Sequence, residues 1–219
     1  MPFSNLFSPE HSMIGEIIKE SEYPWDVLKN LSDIIIEIGK CLSDNEYDHI
    51  SEFVWIAKTA AVAPTALING PCIICDGAEI RHCAFIRGSA VIGKGAVVGN
   101  SCEIKNSVIY DKAQIPHFNY VGDSVLGFGA HLGAGAITSN VKGDKSNVRV
   151  KYEGAVYESG RKKLGAIIGD HAEIGCNTVL NPGTVIGNGA RVYPLCSVRG
   201  TIDDNMLMKS ADNIVMCDN

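Results

Sequence analysis

An aliphatic residue recurs at every sixth position over much of this chain. From Ile56 the sequence reads IAKTAA, VAPTAL, INGPCI, ICDGAE, IRHCAF, IRGSAV, IGKGAV, VGNSCE and IKNSVI without a gap. A small or compact residue, such as Ala60 or Cys72, stands four places after each aliphatic residue. A second run begins at Ile168 with IGDHAE, IGCNTV and LNPGTV. A period of six is neither the 3.6-residue period of a helix nor the alternation of a simple strand.

A hexapeptide period is typical of a parallel β-helix, in which each repeat forms one short strand and one corner. Three repeats form a triangular coil. The aliphatic residues fill its interior, and the small residues share that narrow space. Stacked coils bury a continuous core, and each coil contacts only its neighbours. We therefore predict a mainly β fold with roughly 18 repeats, or about six coils.

The two ends of the chain lack this repeat. Residues 1–52 contain the segment DVLKNLSDIIIEIGKCL, whose apolar residues have helical spacing. We expect this region to form a helical cap over the first coil, because an open end would expose strand edges. The β-helix is assigned to residues 53–202. Residues 203–219 are assigned to a C-terminal tail that adds a final strand.

Residues 138–165 interrupt the β-helix with a polar insertion. The segments NVRVKY and GAVYES alternate in polarity around a turn, which predicts a hairpin-bearing loop that projects from the coil. Seven lysine or arginine residues lie in it: Lys142, Lys145, Arg149, Lys151, Arg161, Lys162 and Lys163. The loop is either a solvated surface feature or a cationic arm that reaches a phosphate or a neighbouring subunit.

The composition argues against several classes of function. The formal charge is −6 and there is no long basic block, which argues against nucleic acid and anionic membranes as partners. No apolar run approaches the roughly 18 residues of a membrane span, and the start lacks the features of a signal peptide. We therefore expect a cytoplasmic protein whose eight cysteines are reduced thiols, and no metal site.

The stretch IPHFNYVGDSVLG, residues 115–127, breaks the monotony of the repeat with polar and aromatic residues. Together with the flanking VGNSCEIK and LGAGAITSN, it resembles the acetyltransferase domain of bacterial N-acetylglucosamine-1-phosphate uridyltransferase. That domain is a left-handed β-helix of the hexapeptide acyltransferase superfamily. The likeness extends over residues 80–200 with one insertion. As a whole, the chain is similar to stand-alone proteins described as UDP-N-acetylglucosamine pyrophosphorylase-related.

The resemblance implies an acyltransferase that uses acetyl-CoA, acts on a sugar phosphate or a nucleotide sugar, and forms a homotrimer with sites between subunits. By position, His117 matches the catalytic base. The positions that correspond to substrate-binding residues are Arg87, Lys105, Tyr120, His131, Asn140 and Lys163. The positions that correspond to cofactor-binding residues are Ala134, Cys176 and Pro194.

The chemistry of these residue types is consistent with acetyl transfer. A nucleophile that attacks a thioester must lose a proton, and histidine has a pKa near neutral pH. Arg87 and Lys105 would hold an anionic substrate through charge-assisted hydrogen bonds. Backbone N–H groups of the glycine-rich LGAGAI segment would stabilise the oxyanion of the tetrahedral intermediate.

The sequence departs from the family at several positions. His131 replaces an asparagine of the sugar site, and Cys176 replaces a serine that contacts pantetheine. Tyr193 and Pro194 stand where the family has small residues, so they are expected to narrow the acetyl-CoA groove. Residues 1–55 are too short for a nucleotidyltransferase domain and lack its glycine-rich motif. We therefore predict no pyrophosphorylase activity from this chain.

Two alternatives to the acyltransferase remain open. The first is a non-catalytic trimer that binds a sugar phosphate or a nucleotide sugar, which the bulk of Tyr193 and Pro194 favours. The second is a β-helix metalloenzyme with three convergent histidines. Its candidate ligands are His82, His117, His131 and His171, although their spacing does not match such a site.

Overall fold

The computed structural model describes residue 3 and residues 5–217, and it shows a parallel β-solenoid with few helices. The predicted fold class, a left-handed parallel β-helix of hexapeptides, is confirmed. Three long sheets run along the solenoid, and we name them faces one, two and three in the order in which the chain visits them. A separate two-stranded sheet lies in the insertion.

The strands of each face stack in a regular order along the solenoid axis. Face one contains Tyr47–Ser51, Val54–Ala57, Cys72–Ile74, Ala90–Ile92, Ser107–Ile109, Val125–Leu126, Ala166–Ile168, Thr184–Ile186 and Thr201–Ile202. Face two contains Ala61–Val62, Glu79–Ile80, Val97–Asn100, Gln114–His117, His131–Leu132, Glu173–Ile174, Arg191–Val192, Met206–Ser210 and Asn213–Met216. Face three contains Leu67–Ile68, Phe85–Ile86, Glu103–Lys105, Tyr120–Gly122, Ile137–Thr138, Val179–Leu180 and Ser197–Val198.

The described residues form seven complete coils and two strands of an eighth. This is more than the six coils expected from the repeat. The additional strands lie in residues 109–138, where the phase of the repeat slips, and near the C-terminal end. Strand pairing therefore continues where the sequence pattern is irregular.

The interior of the solenoid is filled by stacked aliphatic and small residues. On face three, Ile68, Ile86 and Ile104 are partners in register on successive strands. Ile86 and Ile104 are fully buried, as are small residues such as Ala90 and Ala96. Each buried isoleucine contributes about 1.5–3 kcal/mol from the removal of its apolar surface from water. The hexapeptide period of the sequence thus arises from the side chains that fill this core.

A second apolar cluster covers the outer side of face one. Helix α1 (Gly15–Glu20) and helix α2 (Leu31–Lys40) lie in the N-terminal segment with two short 3-10 helices, Pro9–His11 and Asp26–Lys29. Helix α2 packs against Cys72–Ile74 and Ala90–Ile92, and its Leu31 and Ile35 are fully buried. The helices were expected over the first coil. They lie along face one instead. Its outward residues, such as Val91, are apolar, and the helices bury them away from water.

The insertion packs on the same side of the solenoid. Its strands Arg149–Tyr152 and Ala155–Glu158 form the predicted antiparallel hairpin. The hairpin does not project into solvent as expected. Val148, Val150 and Leu164 are fully buried in the cluster that covers face one, since they complete an apolar surface with the N-terminal segment. The ring of Tyr152 stacks on Phe3 with the two ring centroids 4.2 Å apart.

Antiparallel strands close two of the sheet edges. Tyr47–Ser51 pairs with Val54–Ala57 at one end of face one, and Asn213–Met216 pairs with Met206–Ser210 at the other end of face two. The division of the chain at residues 52 and 202 stays a prediction. Among the described residues, no helix has the length and apolar character needed to cross a bilayer.

Replacing Trp25 by alanine tests the role of the cluster over face one. Trp25 is fully buried and stacks on Tyr23 with ring centroids 4.9 Å apart. Its loss should lower the free energy of unfolding by about 3–5 kcal/mol, measured by urea denaturation. Val156→Ala, an exposed position in the hairpin, should cost less than about 1 kcal/mol. Equal losses in both variants would contradict this account.

Candidate functional site

His117 ends a strand of face two, at the corner between faces two and three, and its side chain is exposed. The next polar residue, Asn119, is only 2% exposed and fixes this corner. The side-chain oxygen of Asn119 accepts a hydrogen bond from the His117 N–H at 3.0 Å. Its amide nitrogen donates to the carbonyl oxygens of Gly133 at 2.8 Å and Ala136 at 3.1 Å. The His117 corner is therefore tied to the glycine-rich corner of the next coil.

The predicted catalytic residue and the three predicted cofactor-binding residues lie along this one corner. The Gly135 N–H donates to the His117 carbonyl oxygen at 2.9 Å. The Asn177 N–H donates to the Ala134 carbonyl at 2.8 Å, and the Leu195 N–H donates to the Cys176 carbonyl at 2.9 Å. Successive coils are about 4.8 Å apart. These bonds place Ala134, Cys176 and Pro194 in a column that begins beside His117.

A groove of about 400 Å³ runs along face two beside this column. Its lining includes His131, Cys176, Arg191, Tyr193 and Pro194. The Nδ1 atom of His131 lies 2.8 Å from a carboxylate oxygen of Glu173. The structure thus places His131 in one groove with Cys176 and Pro194, two predicted cofactor-binding residues, rather than with the other predicted substrate-binding residues. Tyr193 is 47% exposed and lines an open groove.

A second cluster surrounds Asp123 at the corner between faces three and one. Asp123 is 2% exposed, and its Oδ2 lies 3.3 Å from the Lys105 ammonium group. The Asn140 amide donates to the same oxygen at 2.6 Å and to the Tyr120 hydroxyl at 3.2 Å. Burial raises the pKa of Tyr120. Three predicted substrate-binding residues, Lys105, Tyr120 and Asn140, are therefore brought together by Asp123.

Arg87 and Lys163 lie on either side of this cluster. Arg87 is exposed and donates a hydrogen bond to the Glu103 carboxylate at 2.6 Å, on the outer side of face three. That bond raises the pKa of the Arg87 guanidinium. Lys163 is exposed and lines a cleft whose inner wall includes Asp123. Both cations are accessible to an anionic ligand.

The two clusters occupy opposite corners of face three. His117 precedes and Asp123 follows the strand Tyr120–Gly122, so the two residues, six positions apart in the chain, stand at opposite ends of one strand of face three. Within one chain, the predicted base is therefore apart from the predicted cation Lys105 and from Asn140. In residue 3 and residues 5–217, no group of three or more histidine, cysteine, aspartate or glutamate side chains is arranged to hold a metal ion.

The arrangement depends on residues that were not identified as site residues from the sequence. Asp123 also accepts a hydrogen bond from Asn106 at 2.8 Å and lies 3.7 Å from a guanidinium nitrogen of Arg161. Asn119 and Asp123 both lie in the quoted stretch HFNYVGD. They are four positions apart, which places one residue at each corner of face three. This spacing could have identified both residues from the sequence.

Comparisons with known proteins agree with the resemblance found in the sequence. The family model described as "GMPPB C-terminal domain" matches residues 68–159. The "Bifunctional sugar-1-phosphate nucleotidylyltransferase/acetyltransferase" of Sulfurisphaera tokodaii is 46% identical over 90 residues, which is 41% of this chain and 22% of that protein. "Bifunctional protein GlmU" of Methanococcus maripaludis is 36% identical over 112 residues, or 51% of this chain and 27% of that protein.

Solved structures that align with the chain include a perosamine N-acetyltransferase from Caulobacter crescentus, crystallised with CoA and GDP-perosamine. The identity is 18% and the TM-score 0.37, with 76% of this chain and 57% of that chain covered. The acetyltransferase domain of PglB from Neisseria gonorrhoeae aligns at 15% identity and a TM-score of 0.27, covering 74% and 56% of the two chains. Scores this low carry no weight for the function.

The fold and the sequence define a hexapeptide-repeat β-solenoid. In sequence the chain resembles a part of the bifunctional sugar-1-phosphate nucleotidylyltransferase/acetyltransferases, as predicted. It spans about a quarter of the length of these relatives.

The variant Asn119→Ala tests how the His117 corner is held. It removes the partners of three backbone groups in a buried position, so the free energy of unfolding should fall by about 2–4 kcal/mol. The His117 amide should also exchange with deuterium faster than in the wild type. Gln114→Ala, which removes a single part-exposed hydrogen bond to Lys112, is the control and should cost about 0.5 kcal/mol or less. Unchanged exchange at His117 would rule out this role of Asn119.

Proposed function

We propose that this chain is an acetyl-CoA-dependent acyltransferase for an amino sugar phosphate or a nucleotide sugar, with His117 as the general base. One observation carries the proposal above the others. The exposed imidazole of His117 stands at the head of the corner that also presents Ala134, Cys176 and Pro194, beside an open groove of about 400 Å³. Such a groove is within the size range of sites that take small molecules and cofactors.

In the proposed reaction, the amino group of the sugar attacks the thioester carbonyl of acetyl-CoA. A C–N bond forms, the C–S bond breaks, and the sulfur of CoA leaves with the bonding electrons. His117 takes the proton that the amine loses and returns it to the departing thiolate. Its side chain makes no hydrogen bond or ion pair within the described residues, so a ring nitrogen is available for this task. General base catalysis of this kind contributes about 10²–10⁴-fold.

The backbone beside His117 offers a donor for the oxyanion. In the glycine-rich segment, the N–H groups of Gly133, Gly135 and Ala136 all donate to backbone carbonyls. The N–H of Ala134 donates to no protein group within the part of the chain that the structure describes. A free N–H next to the general base can stabilise the negative charge that develops on the thioester oxygen. This gives Ala134 a chemical role as well as a position.

We also propose that the site is completed between subunits of a homotrimer. The N-terminal segment and the insertion cover face one, which leaves faces two and three for contact with other copies. Apolar side chains are exposed along face three and its corner: Leu67 is 57%, Phe118 64% and Leu195 79% exposed. Contact between copies would bury them and bring His117 of one copy near Lys105 of another.

The second candidate is a non-catalytic trimer that binds a sugar phosphate or a nucleotide sugar. The position of Tyr193 and Pro194 in the wall of the groove favours it, since their bulk reduces the space for pantetheine. For both functions we expect a cytoplasmic location.

The variant His117→Ala should lower the rate of acetyl transfer by about 10²–10⁴-fold. The melting temperature should stay within about 2 °C of the wild type, because the side chain is exposed and forms no hydrogen bond or ion pair within the described residues. Acetyl transfer is followed by release of free CoA thiol. His49→Ala, which removes an exposed histidine from another part of the solenoid, is the control and should keep full activity. A large loss of thermal stability in His117→Ala would identify His117 as structural.

Binding of acetyl-CoA by calorimetry separates the two candidate functions. The acyltransferase predicts a Kd in the micromolar range for the wild type, changed less than about threefold by Tyr193→Ala, since the groove is already open. If the Tyr193→Ala variant binds acetyl-CoA and the wild type does not, the ring of Tyr193 closes the groove. That result would support the non-catalytic function.

A further inference from the structure

A cleft of about 470 Å³ lies apart from the His117 corner, where three segments of the chain meet. The N-terminal segment supplies Asp26 and Lys29, the corner between faces three and one supplies Asp123, and the insertion supplies its C-terminal end. That end of the insertion contributes Ser159, Gly160, Arg161, Lys162 and Lys163 to the lining. Lys29 and residues 160–163 lie outside the range 68–159 that the family model matches.

The cleft concentrates positive charge in a chain whose formal charge is −6. Lys29, Lys162 and Lys163 are exposed, and their ammonium groups form no ion pair within the described residues. Arg161 is half-buried and held in place. Its Nε donates to the Lys163 carbonyl at 3.1 Å, and its Nη2 donates to the Leu28 carbonyl at 3.5 Å. Burial lowers the pKa of Arg161. Its guanidinium also lies 3.7 Å from the Asp123 carboxylate, so the unpaired cations of the cleft are the three lysines, which repel one another unless an anion lies between them.

The two carboxylates in the lining do not cancel this charge. Asp123 is shared between Lys105 and Arg161 and accepts hydrogen bonds from Asn106 and Asn140, so it pairs with none of the three lysines. Asp26 accepts a hydrogen bond from the Tyr23 N–H at 3.0 Å. The lining therefore has four cations and two carboxylates. One of these carboxylates, Asp123, is also paired with Lys105, which lies outside the lining.

We propose that this cleft binds the diphosphate group of a nucleoside diphosphate sugar. The inference rests on the proposed function and selects the nucleotide sugar from its two acceptor classes. A diphosphate carries more negative charge than a phosphate monoester and presents oxygens on both sides of its bridging oxygen, so it can contact more of these cations at once. The three lysines would bind such oxygens as mobile point charges, and Arg161, held by its backbone partners, adds fixed positive charge beside them. The volume of the cleft lies within the range of about 300–1,000 Å³ typical of ligand pockets.

This assignment gives the two irregular segments a common role. The N-terminal segment and the insertion do not belong to the hexapeptide repeat, yet both are needed to form the cleft. Specificity for the nucleotide part of the acceptor would therefore lie in Lys29 and the segment 160–163. The acetyl transfer machinery at the His117 corner is separate from them.

The experiment is titration calorimetry at constant ionic strength, because salt screens the attraction between the anionic probes and the cations of the cleft. The probes are UDP, UMP, inorganic pyrophosphate, inorganic phosphate and acetyl-CoA. We expect UDP and pyrophosphate to bind at least tenfold more tightly than UMP and phosphate. Lys29→Ala and Lys162→Ala should each weaken binding of UDP and pyrophosphate about five- to tenfold. Lys209→Ala removes an exposed lysine from the strand Met206–Ser210 of face two and should change neither affinity.

The outcomes separate this inference from the proposed function. The cleft assignment would be overturned if UDP bound equally well to Lys29→Ala, Lys162→Ala and Lys209→Ala. The proposed acyltransferase would stand if these variants still bound acetyl-CoA. Equal affinities for UDP and UMP would overturn the diphosphate assignment. Loss of acetyl-CoA binding in Lys29→Ala would show that the cleft holds the diphosphate of CoA, which also overturns it. Pyrophosphate binding that depends on Lys29 in a protein unable to bind acetyl-CoA would support the cleft and refute the acyltransferase.

Discussion

The narrow interior of each triangular coil is the constraint on which the rest of this structure depends. Only an aliphatic side chain and a small one fit together inside it, as Ile86 and Ala90 do on successive faces. Since every coil meets this demand in the same way, successive coils stack in register at about 4.8 Å. Residues at equivalent positions then form straight columns. The column of His117, Ala134, Cys176 and Pro194 is a direct consequence of this stacking.

A second constraint decides which parts of the surface are free. The outward residues of face one, among them Ile73, Val91 and Val108, are fully buried beneath the N-terminal segment and the insertion. These additions leave faces two and three uncovered. The same additions meet at the corner of Asp123 and create the cationic cleft. The cover over face one thus shapes both the surface available to other copies and a candidate ligand site.

The sequence predicts the solenoid well because the demand of its interior is repeated every six residues. Helix α2 was also predictable from the spacing of Leu31 and Ile35. The location of the helices and the hairpin was not predicted, although a signal exists. In the strand Cys72–Ile74 all three residues are apolar, so Ile73 must face outward into a cover.

The candidate site was predicted in part. The break in the repeat identified His117, and the resemblance placed Lys105, Tyr120 and Asn140. The role of Asp123 depends on contacts with Asn140 and Arg161, which are 17 and 38 positions away in the sequence. Such contacts follow from the stacking of coils and the path of the insertion. A local motif does not encode them.

His117 and the group around Lys105 lie at opposite corners of face three, so the central claim is that two copies must share one site. The most direct test mixes the inactive variants His117→Ala and Lys105→Ala and measures acetyl transfer after subunit exchange. A shared site predicts that the mixture recovers part of the wild-type activity, because some interfaces join an intact His117 to an intact Lys105. A mixture no more active than the separate variants, with an active wild type under the same conditions, would contradict the account.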